Sequence, residues 1–195
     1  MPAELSSDPG FGLLLVPQAP MIRTIFLKEG GKQKLFFPHT LFCLFYFKDP
    51  DFRLKRLHVT FSKIPFTGQE SDAFYGLPVR NHDGCFATCF YDWPSDKDEE
   101  KFIHKVIGQY WASPFGEYND WASWWSERYA ALKPEFLKEW LKATEEQNYD
   151  WIFDQDFLQA DHHVDLEKLI KANKTHVTGG VKFLNLPKPK IEFNF

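Results

Sequence analysis

The chain has 195 residues, a net charge of -4 and 44% hydrophobic residues, enough apolar material to bury a substantial core and too much for a disordered polymer. Basic and acidic residues number 23 and 27, which argues against a dedicated nucleic-acid binder. Three cysteines, Cys43, Cys85 and Cys89, are too few and too oddly numbered for a disulfide framework.

Residues 1–20 carry Pro2, Pro9, Gly10, Gly12, Pro17 and Pro20 and read as a loosely structured lead-in. The apolar run Phe11–Val16 has no basic region before it and is broken by Pro17, so it does not read as a signal peptide. No stretch approaches the ~20 apolar residues that span a bilayer. The expectation is a cytoplasmic protein with reduced thiols and no membrane partner.

From Met21 to Phe195 the expectation is a single domain with a helical carboxy-terminal extension. Met21–Lys28, Leu41–Phe47 and Leu54–Lys63 are β-branched or aromatic runs separated by turn signals, the pattern of an antiparallel meander. In the third run Leu57, Val59 and Phe61 alternate with Arg56, His58 and Thr60, so one face is apolar and the other reads as a polar, solvent face. Cys43, inside a strongly apolar strand, reads as a small core residue.

Residues 64–95 hold Pro65, Gly68, Gly76, Pro78, Gly84 and Pro94 with no sustained period, and their aromatic residues predict an ordered loop. Helices follow. Ser95 is the expected N-cap of a helix over 96–111 with an apolar stripe of Phe102, Ile103, Val106, Ile107 and Tyr110. The charged run Asp96–Lys101 marks that helix start, where the dipole favours acidic residues. A second helix over 119–131 presents Trp121, Trp124, Trp125 and Tyr129, read as core packing or an interface. A third, over 134–146, opens on Pro134 and buries Phe136, Leu137, Trp140 and Leu141. A short helix over 165–173 and a strand over 176–184 close the domain. Strands first, an irregular segment next and helices last define an α+β layout. Residues 188–195 are expected to pair as an edge strand or dock on a partner.

The chemistry-bearing segment is Leu77-Pro78-Val79-Arg80-Asn81-His82-Asp83-Gly84-Cys85-Phe86-Ala87-Thr88-Cys89. A meander, a proline-led irregular loop, an Asp-Gly step, a Cys-containing extended stretch and then helices resemble the ubiquitin-conjugating (carrier) enzymes. In that family a Gly stands six residues after the Pro, as Gly84 does after Pro78, and the acceptor Cys three residues later. Bacterial relatives carry Leu-Pro there and a helix ending in Trp-x-Ser-x-Phe, matched by Leu77-Pro78 and Trp111-Ala112-Ser113-Pro114-Phe115. The resemblance covers about residues 36–116. It implies a domain that takes a ubiquitin-like protein from an activating enzyme by transthiolation and passes it to an acceptor, without metal or organic cofactor.

This chain departs from the pattern where it matters most. The acceptor position is Ala87, and the family Asn after the Pro, which steadies the oxyanion, is Val79, with Asn81 two residues on. A carrier needs a thiolate, which alanine lacks. Three explanations stand: an engineered Cys→Ala change, a natural non-catalytic binding module, or service by Cys85 or Cys89. Those neighbours share the face of residue 87 in an extended stretch but lie ~7 Å along it. Asn81, His82 and Asp83 are the nearest groups able to orient a donor or stabilise an oxyanion.

A competing signal is the pair of triplets His58-Val59-Thr60 and His176-Val177-Thr178. They resemble the motifs of two-histidine phosphoesterases, which implies His58 and His176 as acid and base on a phosphodiester. Asp161-His162-His163 lacks a third ligand at metal spacing and reads as a solvated loop.

Overall fold

A computed structural model describes residues 12–27, 31–48, 50–67, 73–74, 94–115, 133–155, 164–165 and 181–183. Its strands are β1 (Gly12–Gln18), β2 (Met21–Leu27), β3 (Gly31–Phe37), β4 (His39–Lys48), β5 (Phe52–Ser62), β6 (Ala73–Phe74), β7 (Ser95–Asp96), β8 (Pro114–Phe115), β9 (Val164–Asp165) and β10 (Val181–Phe183). Its helices are α1 (Glu99–Ala112), α2 (Lys133–Glu145) and α3 (Asp150–Phe153). The α+β class expected from the sequence is the class observed.

The strands form a five-stranded sheet in the order β10-β1-β4-β5-β7, a three-stranded sheet in the order β3-β2-β8, and the pair β6-β9. This differs from the expected meander in two ways. First, part of the lead-in is a strand of the main sheet: β1 pairs antiparallel with β4 along its length and parallel with β10 at Leu13–Leu15. Pro17 lies beyond Leu15, where the β10 register ends, and stands opposite Leu41 of β4. Second, β2 pairs with β3 in a hairpin of the smaller sheet, and β4 pairs with β1 and β5. Gly31 takes φ +66 at the end of that hairpin turn, a conformation that glycine adopts without Cβ strain. The buried Pro38 then separates β3 from β4, and the chain crosses from one sheet to the other.

The core lies between the two sheets and α1. Leu14 and Val16 of β1, Phe42 and Leu44 of β4, and Leu57, Val59 and Phe61 of β5 face it with Ile25 and Leu27 of β2. The α1 stripe of Phe102, Ile103, Val106, Ile107 and Tyr110 is buried as its spacing predicts, with Trp111 added. At the β3 end, α2 and α3 close the core through Phe136, Trp140 and Ile152. Trp140 Nε1 donates to Phe36 O at 2.8 Å, and Phe36 N donates to Thr144 Oγ1 at 3.1 Å, so α2 satisfies backbone groups of the edge strand β3.

The start of α1 is displaced from expectation. Ser95 and Asp96 form β7, pairing with Arg53 and Phe52, and Asp98 is the N-cap, accepting from Lys101 N at 2.9 Å. The reason is local: Asp98 places a carboxylate over the free N–H groups, with Glu99 and Glu100 in the first turn. The expected third helix is α2. Of the expected terminal strand, Val181–Phe183 is β10 in the main sheet, so the carboxy-terminal part contributes a strand as well as helix. Asp165, expected to open a helix, lies in β9. Among the described residues no helix is long and apolar enough to cross a membrane.

Candidate functional site

The β4–β5 hairpin delivers the chain at Ser62, and Phe66 is buried just beyond it. The chain reappears at Pro94, whose carbonyl accepts from Leu54 N at 3.0 Å, and Ser95–Asp96 then pair at the opposite end of β5. Ser62 and the Ser95–Asp96 pairing thus mark the two ends of an 11-residue strand, about 33 Å apart at the usual rise. Between Thr67 and Pro94 only β6, paired antiparallel with β9, belongs to the described residues. Pro78, Asn81, His82, Asp83, Gly84, Cys85, Ala87 and Cys89 lie outside them, so their mutual geometry is not described. The same holds for His176, for Asp161-His162-His163, for the Trp121–Tyr129 group and for residues 188–195.

The far side of this interval is anchored firmly. Lys105 Nζ bonds Asp96 Oδ2 at 2.6 Å and Ser95 O at 3.2 Å, tying α1 to β7. The Lys105 hydrogen bond is the main reason the Asp96 carboxyl lies below its ordinary pKa. At the other end of α1, each marked residue of Trp-x-Ser-x-Phe has a packing task. The Trp111 ring stacks on Phe115 with centroids 6.1 Å apart and meets Phe37 edge-on at 4.9 Å. Ser113 ends the helix, its hydroxyl donating to Gln109 O at 2.6 Å and its N–H to the same carbonyl at 3.0 Å. Pro114 and Phe115 then run parallel to Phe26 and Leu27 as β8.

Sequence reasoning missed one polar cluster beside this anchor. Arg23 is buried on the inward face of β2, its guanidinium carbon 5.2 Å from the Trp111 ring centroid. Arg23 Nη2 donates to Gln18 Oε1 at 3.2 Å, and Trp111 Nε1 donates to the same oxygen at 3.4 Å. Burial lowers the Arg23 pKa from its ordinary value. The signal was present: Arg23, Ile25 and Leu27 alternate, so Arg23 belongs to the core-facing side of β2.

The other described candidates are His58, Thr60 and Cys43. Cys43 is fully buried, and burial raises its thiol pKa far above the ordinary value, as befits a core residue and not a nucleophile. His58 stands opposite Cys43 in the β4–β5 register and meets the Phe45 ring edge-on at 5.3 Å. The expectation of a polar, solvent face is corrected here: His58 and Thr60 are 5% and 2% exposed, and only Arg56 reaches solvent. The reason is that the second face of the sheet is itself closed, since its Leu13, Leu15, Leu41 and Phe45 are buried too. A phosphodiester acid or base needs an approach for substrate, and the burial of His58 weighs against that role. No cluster of three or more metal-ligating side chains occurs among the described residues. Comparison with family models, with curated proteins and with solved structures returns no match for this chain.

Proposed function

We propose that the chain is a carrier-type domain of the ubiquitin-conjugating kind, from a bacterial or phage-related ubiquitin-like modification system, with Ala87 at the thioester position. The observation that carries this reading is an order of parts. In chain order a long antiparallel hairpin precedes the Leu77–Cys89 segment and α1 follows it, with Trp111 and Phe115 of the terminal Trp111-x-Ser113-x-Phe115 buried in the core. In such a domain a thiolate at residue 87 would attack the carbonyl of the modifier held as a thioester on its activating enzyme. The activating enzyme's thiolate leaves, and an acceptor amine later displaces the carrier's sulfur in the same way. Asn81 is the candidate donor to the oxyanion of each step, with His82 and Asp83 orienting the incoming group.

With Ala87 the bond-forming sulfur is absent from that position. The chain as it stands then binds the ubiquitin-like protein and the activating enzyme without becoming acylated there. In an extended stretch Cys85 and Cys89 would lie ~7 Å along the chain from residue 87, and an offset of even ~1 Å can cost ~10²-fold in rate. The test is to incubate the chain and its Ala87→Cys variant with a ubiquitin-like protein, its activating enzyme and ATP. The variant is expected to form an adduct cleaved by dithiothreitol, and the Ala87 chain none. Absence of any adduct on the variant contradicts the carrier reading.

A further inference from the structure

One exposed feature has no part in the carrier reading. The β4–β5 register shifts between Phe45 and Tyr46, where Arg56 and Leu54 are the successive partners and Lys55 is the extra residue of a β-bulge. The consequence can be followed along β5. Phe52 and Leu54 face the core before the bulge, and Leu57, Val59 and Phe61 face it after. Arg53 and Arg56, three residues apart, therefore fall together on the opposite face, where strict alternation would have separated them. Lys55 leans to the same side, its Nζ 6.0 Å from the centroid of the Phe47 ring, and Phe47 is the register partner of Arg53.

Three cations thus converge within about 10 Å of strand around one half-buried aromatic ring. All three are exposed, and none joins any ion pair formed among the described residues. Asp51, in the turn of the hairpin, pairs with none of them. Like charges this close repel one another, and an ordinary solvated face would intersperse carboxylates. Bulges commonly re-aim side chains, and this one concentrates positive charge.

We propose that Arg53, Lys55 and Arg56 around Phe47 form a docking site for an extended acidic peptide segment of a partner protein. The charge pattern selects a peptide over nucleic acid. Removing these three from the 23 basic residues leaves 20 against 27 acidic, so a long polyanion lying beyond the patch meets a repelling chain. A short acidic segment needs only the patch, and its alternate side chains repeat at about 7 Å, commensurate with the strand beneath it.

The experiment uses the full chain and a fluorescein-labelled octaglutamate peptide, read by fluorescence anisotropy. Two double variants change net charge equally: Arg53→Glu with Arg56→Glu in the patch, and Lys32→Glu with Lys34→Glu on β3, where both lysines are exposed. The first is expected to weaken binding at least about tenfold and the second less than about twofold, with wild-type affinity falling steeply between about 50 mM and 300 mM salt. Thermal unfolding of each variant checks folding, and Arg56→Gln alone supplies a gentler variant, expected to lose about threefold. No binding by the wild type, equal losses in the two double variants, or tighter binding of an oligothymidylate of the same charge each overturns the proposal.

Discussion

Both faces of the five-stranded sheet are closed to solvent at their centres, yet they are made of different material. The face toward α1 is aliphatic and aromatic throughout: Leu14, Val16, Phe42, Leu44, Leu57, Val59 and Phe61 meet Phe102, Val106 and Tyr110. The opposite face sets Leu13, Leu15, Leu41 and Phe45 beside Cys43, His58 and Thr60, and ends in the cationic Arg53–Arg56 corner. The first face is a core by transfer free energy alone, roughly 1.5–3 kcal/mol for each large side chain buried. The second carries polar groups that gain nothing from burial unless they are hydrogen-bonded. Both faces thus gain from apolar burial, and the second alone combines it with buried polar groups.

Removing a large side chain from the apolar core that this first face shares with α2 should have the greatest effect. Trp140 is 1% exposed, meets Phe37 edge-on at 5.3 Å and donates to Phe36 O. Trp140→Ala is expected to cost about 3–5 kcal/mol, read as a fall in the urea midpoint. A cost below about 1 kcal/mol would mean that α2 does not close this core.

A matched pair of threonines sharpens the contrast. Thr144 Oγ1 accepts from Phe36 N and donates to Trp140 O at 2.9 Å, whereas Thr60 Oγ1 is buried with no hydrogen-bond partner among the described residues. Replacing each by Val keeps shape and removes the hydroxyl. Thr144→Val strands the Phe36 N–H and should destabilise by about 1–3 kcal/mol, while Thr60→Val removes an unmatched group and should be neutral or stabilising. Equal losses in chemical denaturation would erase the distinction between the two sites.

The smallest effect concerns pH. His39, half-buried at the start of β4, has its pKa lowered by burial, so the unfolded chain binds a proton more readily than the folded one. Its contribution is complete above the unfolded value of about 6.5 and is lost as pH falls from there through the lower folded value. His39→Gln should flatten the decline in melting temperature between about pH 7.5 and 5 relative to wild type. An unchanged pH profile would show that His39 is not desolvated.

What was legible in the sequence followed the strength of local pattern. The β4 and β5 runs and the α1 stripe are long, periodic and bounded by turn residues, and the structure places them where the pattern does. Pro17 and the glycines around β1 obscured a strand whose pairing is entirely long-range, with β4 and β10, so no local signal announced it. The burial of His58 and Thr60 was hidden for a related reason: alternation tells which residues share a face, not whether a second layer covers it. The bulge at Lys55 is visible only in retrospect, as the three-residue step between Leu54 and Leu57 on one buried face. For the candidate site, the sequence carries the Leu77–Cys89 spacing and its missing thiol, and the structure adds the positions of Ser62 and Ser95 at the two ends of β5.

In the proposed carrier, residue 87, and not any thiol of the sheet, is the acceptor position. The direct measurement charges the Ala87→Cys variant with a ubiquitin-like protein, its activating enzyme and ATP, and locates the linkage by peptide mass mapping before reduction. The modifier is expected on residue 87, with Cys43 unmodified in the folded protein. Linkage at Cys43, Cys85 or Cys89, or no linkage at all, would contradict it.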